Sequence, residues 1–283
     1  MKLAIFSDVH ANLEALEAAL RQISGQSVDC ILCLGDIVGY NSNPAECIAL
    51  LRQIGALCVA GNHDRAVCGQ ITTDGFSDAG VRAVAWTRRQ LSAGDLDFLV
   101  ELPLRLSVQQ HVVAVHAALH PDPCGEFVRL DCEEKRWLSF EALVAHSSGA
   151  RLCAFGHTHR LGIFELRDGR VRTQMGDEIP LRDDAYYLIN PGTVGQPRIA
   201  DRRATFVILD TARQVVTIHR AEYDASIPLA KSHSAGLLPR FSSLPLPQWL
   251  KRAGCRLGMR SVIHAIRWMG RRRADPVRHG ESI

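Results

Sequence analysis

The chain has 283 residues, 47% of them hydrophobic, and a formal net charge of +3, a balance that excludes the disordered and fibrous classes. No run approaches the ~20 apolar residues of a membrane span, and the start, Met1 to Asp8, meets a charge too early for a secretory signal. Nine cysteines spread over this length suggest reduced thiols and a cytoplasmic setting rather than a disulfide framework.

Leu3 to Phe6 is a short apolar run that reads as a buried strand, and it empties into Asp8 and His10. Asn12 is placed to cap a helix in which Leu13, Leu16, Ala19, Leu20 and Ile23 keep helical spacing, closed by Gly25. Ile31 to Leu34 is a second strand, leading into Gly35 and Asp36. Cys30 and Cys33 form a CxxC there, but residues three apart in a strand face opposite sides, and no second pair completes a zinc site. Pro44 opens a helix through Ile54 and Gly55 ends it. Leu57 to Ala60 is a third strand, delivering Gly61, Asn62, His63 and Asp64. This alternation argues a parallel α/β sheet with functional residues at the carboxyl ends of its strands.

Residues 76–101 read as helical, with Gly80 and Gly94 as weak points and Ser92 capping a second helix. Leu104 to Leu106 and Val112 to Val115 read as a strand pair ending at His116. The stretch 117–135 has little periodicity and reads as a surface loop over the site. A helix near Ser139 to Ser147 precedes a strand, Leu152 to Phe155, which delivers His157 and His159. Thereafter the pattern changes to short strands, at 162–166, 170–175, 186–189, 204–209 and 215–220. Asp168-Gly169 is a hairpin signal among them. A run of strands without helices suggests a second, antiparallel sheet packed on the first.

The polar clusters at these strand ends share one chemistry. Two metal ions ~3.5–4 Å apart need roughly six or seven nitrogen and oxygen ligands with one carboxylate bridging. Asp8, His10, Asp36, Asn62, His116, His157 and His159 supply such a set, with Asp36 as the shared ligand. The absence of thiolate fits Mn, Fe, Ni or Zn, with manganese the expected ion in vitro. His63, followed by Asp64, reads either as a proton donor to a leaving oxygen or as a packing imidazole. Asn190 to Arg198 holds two glycines and two prolines. It reads either as a structural turn or as a phosphate grip through Arg198. Asn12 and Arg198 are the candidate substrate contacts.

Asp8-x-His10, Gly35-Asp36, Gly61-Asn-His-Asp64, Val115-His116 and Gly156-His-Thr-His159, in this order, resemble the calcineurin-like metallophosphoesterase superfamily. The stretches from Gly35 to Tyr40 and from Asn190 to Arg198 resemble its small bacterial and archaeal phosphodiesterase branch, which includes diadenosine-tetraphosphatase-like members. The resemblance spans about residues 1–225 and implies a four-layer α/β/β/α sandwich carrying two divalent metal ions. Asp8, His10, Asp36 and His159 would hold one ion; Asp36, Asn62, His116 and His157 the other. In-line attack by a metal-bridging hydroxide is implied, with His63 as leaving-group acid and Asp64 orienting it. The implied substrate is a small phosphorylated molecule or nucleotide, cleaved at a phosphodiester or phosphoester bond. Dinucleoside polyphosphate hydrolysis and a non-catalytic scaffold of the same fold are the alternatives. Val38 to Asn41 lacks the acidic residue and arginine with which protein phosphatases continue this motif.

The family resemblance fades towards residue 239, which suggests a domain at 1–239 and an extension at 240–283. From Arg220 onward twelve Lys and Arg face four Asp and Glu, whereas the preceding part carries 21 against 26. Arg252, Arg256, Arg260, His264, Arg267 and Arg271 would form a basic stripe on a helix within 248–273. Such a helix suits an anionic membrane surface, an acidic partner, its own domain or a second subunit.

Overall fold

The computed structural model describes residues 1–109, 111–122 and 125–238, and the structural statements below concern these. The expected basic stripe and the whole 240–283 extension lie outside them.

Three short strands open the chain: β1 (Lys2–Phe6), β2 (Cys30–Cys33) and β3 (Leu57–Cys58). They pair in parallel, joined by helices α1 (Leu13–Ser24) and α2 (Pro44–Gln53). Asn12 caps α1, its side chain accepting from Ala15 N at 3.2 Å, while Pro44 stands in the first turn of α2, where its missing N–H costs nothing. Next come α3 (Asn62–Cys68), α4 (Asp78–Gln90) and α5 (Ala93–Glu101). Ser77 and Ser92 cap the last two through Gly80 N and Asp95 N.

The chain then builds β4 (Arg105–Val108), β5 (Val112–Val115), α6 (Glu133–Val144) and β6 (Leu152–Ala154). Six strands and a last helix follow: β7 (Gly162–Arg167), β8 (Arg170–Gln174), β9 (Glu178–Pro180), β10 (Tyr186–Asn190), β11 (Ala204–Asp210), β12 (Val215–Ala221) and α7 (Ser226–Ser234). One sheet runs β3-β2-β1-β11-β12-β9 and the other β4-β5-β6-β10-β7-β8. Each holds a parallel triplet, β3-β2-β1 or β5-β6-β10, with antiparallel strands attached.

Strand alternation sorts side chains into three apolar layers. Leu3 and Ile5 face the other sheet, meeting Val112, Ala114, Tyr187 and Ile189. Ala4 and Phe6 point the opposite way, against Leu16 and Ala19 of α1 and Ile48 of α2. On the far side Val113, Val115 and Leu188 pack under Phe140 and Leu143 of α6. The result is the expected α/β/β/α sandwich. Each fully buried Leu, Ile or Phe contributes roughly 1.5–3 kcal/mol, and both sheets are covered on two faces.

Four expectations are corrected. The late strands do not form a sheet of their own: β11 and β12 join the first sheet beside β1, Leu3 opposite Leu209 and Ile5 opposite Val207. Strand β9 and helix α3 were not foreseen, and α6 starts at Glu133 rather than near Ser139. Among the described residues no helix is long and apolar enough to cross a membrane.

Candidate metal centre

Beyond the ends of β1 and β2 the two loops stay zipped together. Asp8 N donates to Gly35 O at 3.1 Å, His10 N to Asp36 O at 2.9 Å and Ala11 N to Ile37 O at 2.9 Å. To achieve this the backbone turns left-handed, with φ of 55° at Asp8, 49° at His10 and 50° at Asp36. His157 and His159 repeat it at 61° and 58°. Non-glycine residues in this region cost of order 1–3 kcal/mol each and persist where the surroundings over-determine them. Five of the seven expected ligands sit this way, which marks strain concentrated on one spot. Close approach completes the frame. A Cβ on Gly61 would strike Asp36 N and Oδ1, and one on Gly156 would strike Ser7 Oγ and Asp8 Oδ2.

All seven residues expected as ligands converge here. His10 Nε2 and His159 Nε2 lie 3.2 Å apart, with Asp8 Oδ1 at 3.4 Å from His159 and 3.8 Å from His10. His116 Nε2 lies 3.2 Å from His157 Nδ1 and 3.1 Å from Asn62 Oδ1. Asp36 Oδ2 stands between the two groups, 3.5 Å from His10 Nε2 and 3.4 Å from His116 Nε2. Its other oxygen, Oδ1, accepts from His63 N at 2.8 Å.

The donor chemistry fits divalent cations. His10, His116 and His159 each donate Nδ1–H to a backbone carbonyl, of Val38, Leu34 and Gln196 respectively. A carbonyl only accepts, so in the neutral rings each Nε2 presents a lone pair to the cluster. Asp8 Oδ1 is buried without a hydrogen-bond partner. Lone pairs and carboxylate oxygens crowded at 3.1–3.5 Å repel unless a cation or proton lies among them. Two of the compact donor groups are Asp8, His10 and His159, and Asp36, His116 and His157.

The electrostatics of the cluster point the same way. Burial holds His10 and His159 below the ordinary histidine range and lowers His157 to about 3 and His63 to about 4. Those rings are neutral, the form that binds metal. His116 is the exception: the Asp36 carboxylate outweighs the opposing effect of burial and raises it to about 9. Burial also opposes ionisation of Asp36, but the His116, His63 and His10 rings hold its carboxyl well below the usual range.

A cleft of about 760 Å³ opens beside the cluster, lined by Asp36, Asn62, His63, His157, His159 and Arg198, among others. His63 packs against Tyr40 and Phe76 with centroids 4.6 and 4.8 Å away, and its Nδ1 has no hydrogen-bond partner. Arg198 reaches the cluster edge, Nη2 donating to His159 Nε2 at 3.2 Å.

Two expected roles do not fit their positions. Asp64 does not orient His63 through Nδ1: its oxygens accept from Val38 N at 3.1 Å and Gly61 N at 2.9 Å. Burial and the Asp36 charge push it up to about 7 against those two bonds. Asn12 is not a cleft residue. It is buried, its Oδ1 capping α1 and its Nδ2 donating to Gly195 O at 3.0 Å.

The 190–198 stretch divides between its two readings. Its body is a clamp, with Val194 N and Gly195 N donating to Ser7 O and Asp8 O and Thr193 Oγ1 donating to Asp8 O at 2.8 Å. Its end, Gln196 and Arg198, lines the cleft. The 117–135 loop does line the site, through Phe127 and Arg129. The segment between α3 and α4, with Thr72, Asp74 and Phe76, also lines it and went unforeseen. Its signal was Gly75 among turn-forming polar residues.

Comparison with known proteins agrees with the fold. Residues 1–214 match the calcineurin-like phosphoesterase superfamily domain. An uncharacterized protein of Methanocaldococcus jannaschii is 35% identical over 252 residues, 88% of this chain and 95% of that one. A solved metallophosphoesterase from Sphaerobacter thermophilus is 35% identical, covering 84% of this chain and 95% of that one with a TM-score of 0.69. A hypothetical protein from Pyrococcus horikoshii, 18% identical over 84% of this chain and 94% of that one, shares the fold with a TM-score of 0.65. The chain belongs to the calcineurin-like phosphoesterase superfamily. It is a metal-dependent phosphoesterase.

Proposed function

We propose that the chain hydrolyses phosphodiester or nucleotide phosphoester bonds with two divalent ions. Asp8, His10, Asp36 and His159 would hold one, and Asp36, Asn62, His116 and His157 the other. The observation that carries this reading is Asp36 Oδ2, 3.5 Å from one imidazole group and 3.4 Å from the other, the position of a bridging carboxylate. When bound, such ions supply an activated water and neutralise charge on the phosphoryl oxygens. Convergence of the complete donor set argues against a non-catalytic scaffold.

The remaining chemistry falls to side chains of the cleft. Arg198 and Arg129 both line it and offer planar donors to phosphoryl oxygens that do not react. His63 lines it too and is the group to hand a proton to the departing oxygen. An incoming phosphate dianion or monoanion favours the imidazolium that burial alone disfavours.

Leaving-group dependence tests the His63 role. For bis-p-nitrophenyl phosphate, whose leaving group departs without a proton, His63→Ala is expected to lose little in kcat. For a diester with an alkoxide leaving group the loss is expected to reach roughly 10²–10⁴-fold, the usual worth of a general acid. An equal loss on both substrates would remove His63 from that role.

A further inference from the structure

The cleft has cationic and apolar lining in the same cavity. Arg129 and Arg198 line it with His157 and His159, and Arg129 Nη2 is fixed by donating to Thr158 O at 3.2 Å. Burial and the neighbouring Arg198 both weaken the hold of Arg129 on its proton, a strain that an anion bound at the two guanidiniums relieves.

Ile71, Phe76 and Phe127 supply the apolar lining. Phe76 is used within the fold, against His63 and the core beneath the helices. Phe127 is not. It is half-buried and belongs to none of the three apolar clusters. Its ring instead sits 5.9 Å from the guanidinium of Arg65, which Glu126 pairs at 3.3 Å. An aromatic ring that lines a cleft without joining a core, and is braced by a paired cation, is a platform on which a flat ring can stack. Thr72 and Asp74, bonded to each other at 2.7 Å, add a hydroxyl and a carboxylate to the same lining. Those groups suit sugar hydroxyls or exocyclic amines. A lipid chain would need neither the flat ring nor these polar atoms, and a free phosphate would need only the arginines.

We propose that Phe127 is the stacking platform of a nucleobase subsite, so that the phosphoester cleaved beside the histidine and aspartate cluster is that of a nucleotide. The substrate class rests on the phosphoesterase reading; the base subsite itself is a binding claim and is tested by binding.

Calorimetric titration of the full chain in the presence of manganese, with the non-hydrolysable phosphonate analogues of AMP and of methyl phosphate as probes, separates the two. The wild type is expected to bind the AMP analogue at least tenfold more tightly than the methyl phosphate analogue. In Phe127→Ala that preference should shrink by roughly 5- to 150-fold, the range for loss of one base–aromatic stack, and Phe127→Trp should retain it. Equal affinity for the two probes, a preference unchanged by Phe127→Ala, or no binding of either would overturn the subsite. A protein that shows the expected preference yet hydrolyses no ester would keep the base subsite and lose the phosphoesterase reading.

Discussion

Asp64 shows how a residue beside reactive groups can act through the backbone. Its two oxygens accept from Val38 N and Gly61 N, joining the loop after β2 to the start of α3, and so hold Asp36 and Asn62 in register. Its role was not legible in the sequence, because one partner lies 26 positions away and is a main-chain group that every residue carries. Asp64→Asn puts an amide nitrogen against one of those N–H donors. A buried donor left unpaired costs about 1–3 kcal/mol, so urea denaturation of the variant should show a loss of that size. Its defect in turnover should be the same for p-nitrophenolate and alkoxide leaving groups. A defect confined to alkoxide esters would mean that Asp64 serves His63 after all. The residues that converge around Asp36, by contrast, were legible as a set: any one polar residue after an apolar run reads equally well as a cap or turn, but five such clusters at strand ends point to one place.

Among the elements, strands were easier to find than to pair. β1, β2 and β6 declared themselves as short apolar runs, but β11 reads the same whichever sheet it enters. Val207 and Leu209 face the core between the sheets while Phe206 and Ile208 face the helices, so both faces are apolar and no alternation reveals its neighbour. β9 is three residues long, too short to carry a pattern. α3 was hidden because its first turn is made of the site residues Asn62, His63 and Asp64.

The β11–β12 pair also carries a pH signature away from the cleft. His219 stacks on its register partner Phe206, centroids 4.9 Å apart and planes at 9°, and burial lowers its pKa below 6.5. The unfolded chain therefore takes up this proton first. The stability His219 contributes is present above pH 6.5 and is lost as pH falls through the depressed folded value. Denaturation midpoints measured from pH 8 to pH 5 should fall further for the wild type than for His219→Phe; parallel curves would contradict this.

At the scale of the whole molecule, two parallel triplets deliver the site from opposite sheets. β1, β2 and β3 lead to Asp8, His10, Asp36 and Asn62; β5, β6 and β10 lead to His116, His157, His159 and the Arg198 clamp. Neither sheet alone supplies all seven of the converging residues, so the packing of Leu3, Ile5 and Leu32 against Ala114, Ile163 and Ile189 positions the chemistry as much as it stabilises the fold. Asp36 is the residue that both halves share. Manganese-dependent hydrolysis of bis-p-nitrophenyl phosphate by the wild type and by Asp36→Asn is therefore the most direct measurement. Wild-type turnover that chelation abolishes, falling at least ~100-fold in Asp36→Asn as expected when a group stabilising transition-state charge is lost, is the predicted result. Turnover that survives chelation, or that Asp36→Asn leaves intact, would contradict the two-ion centre.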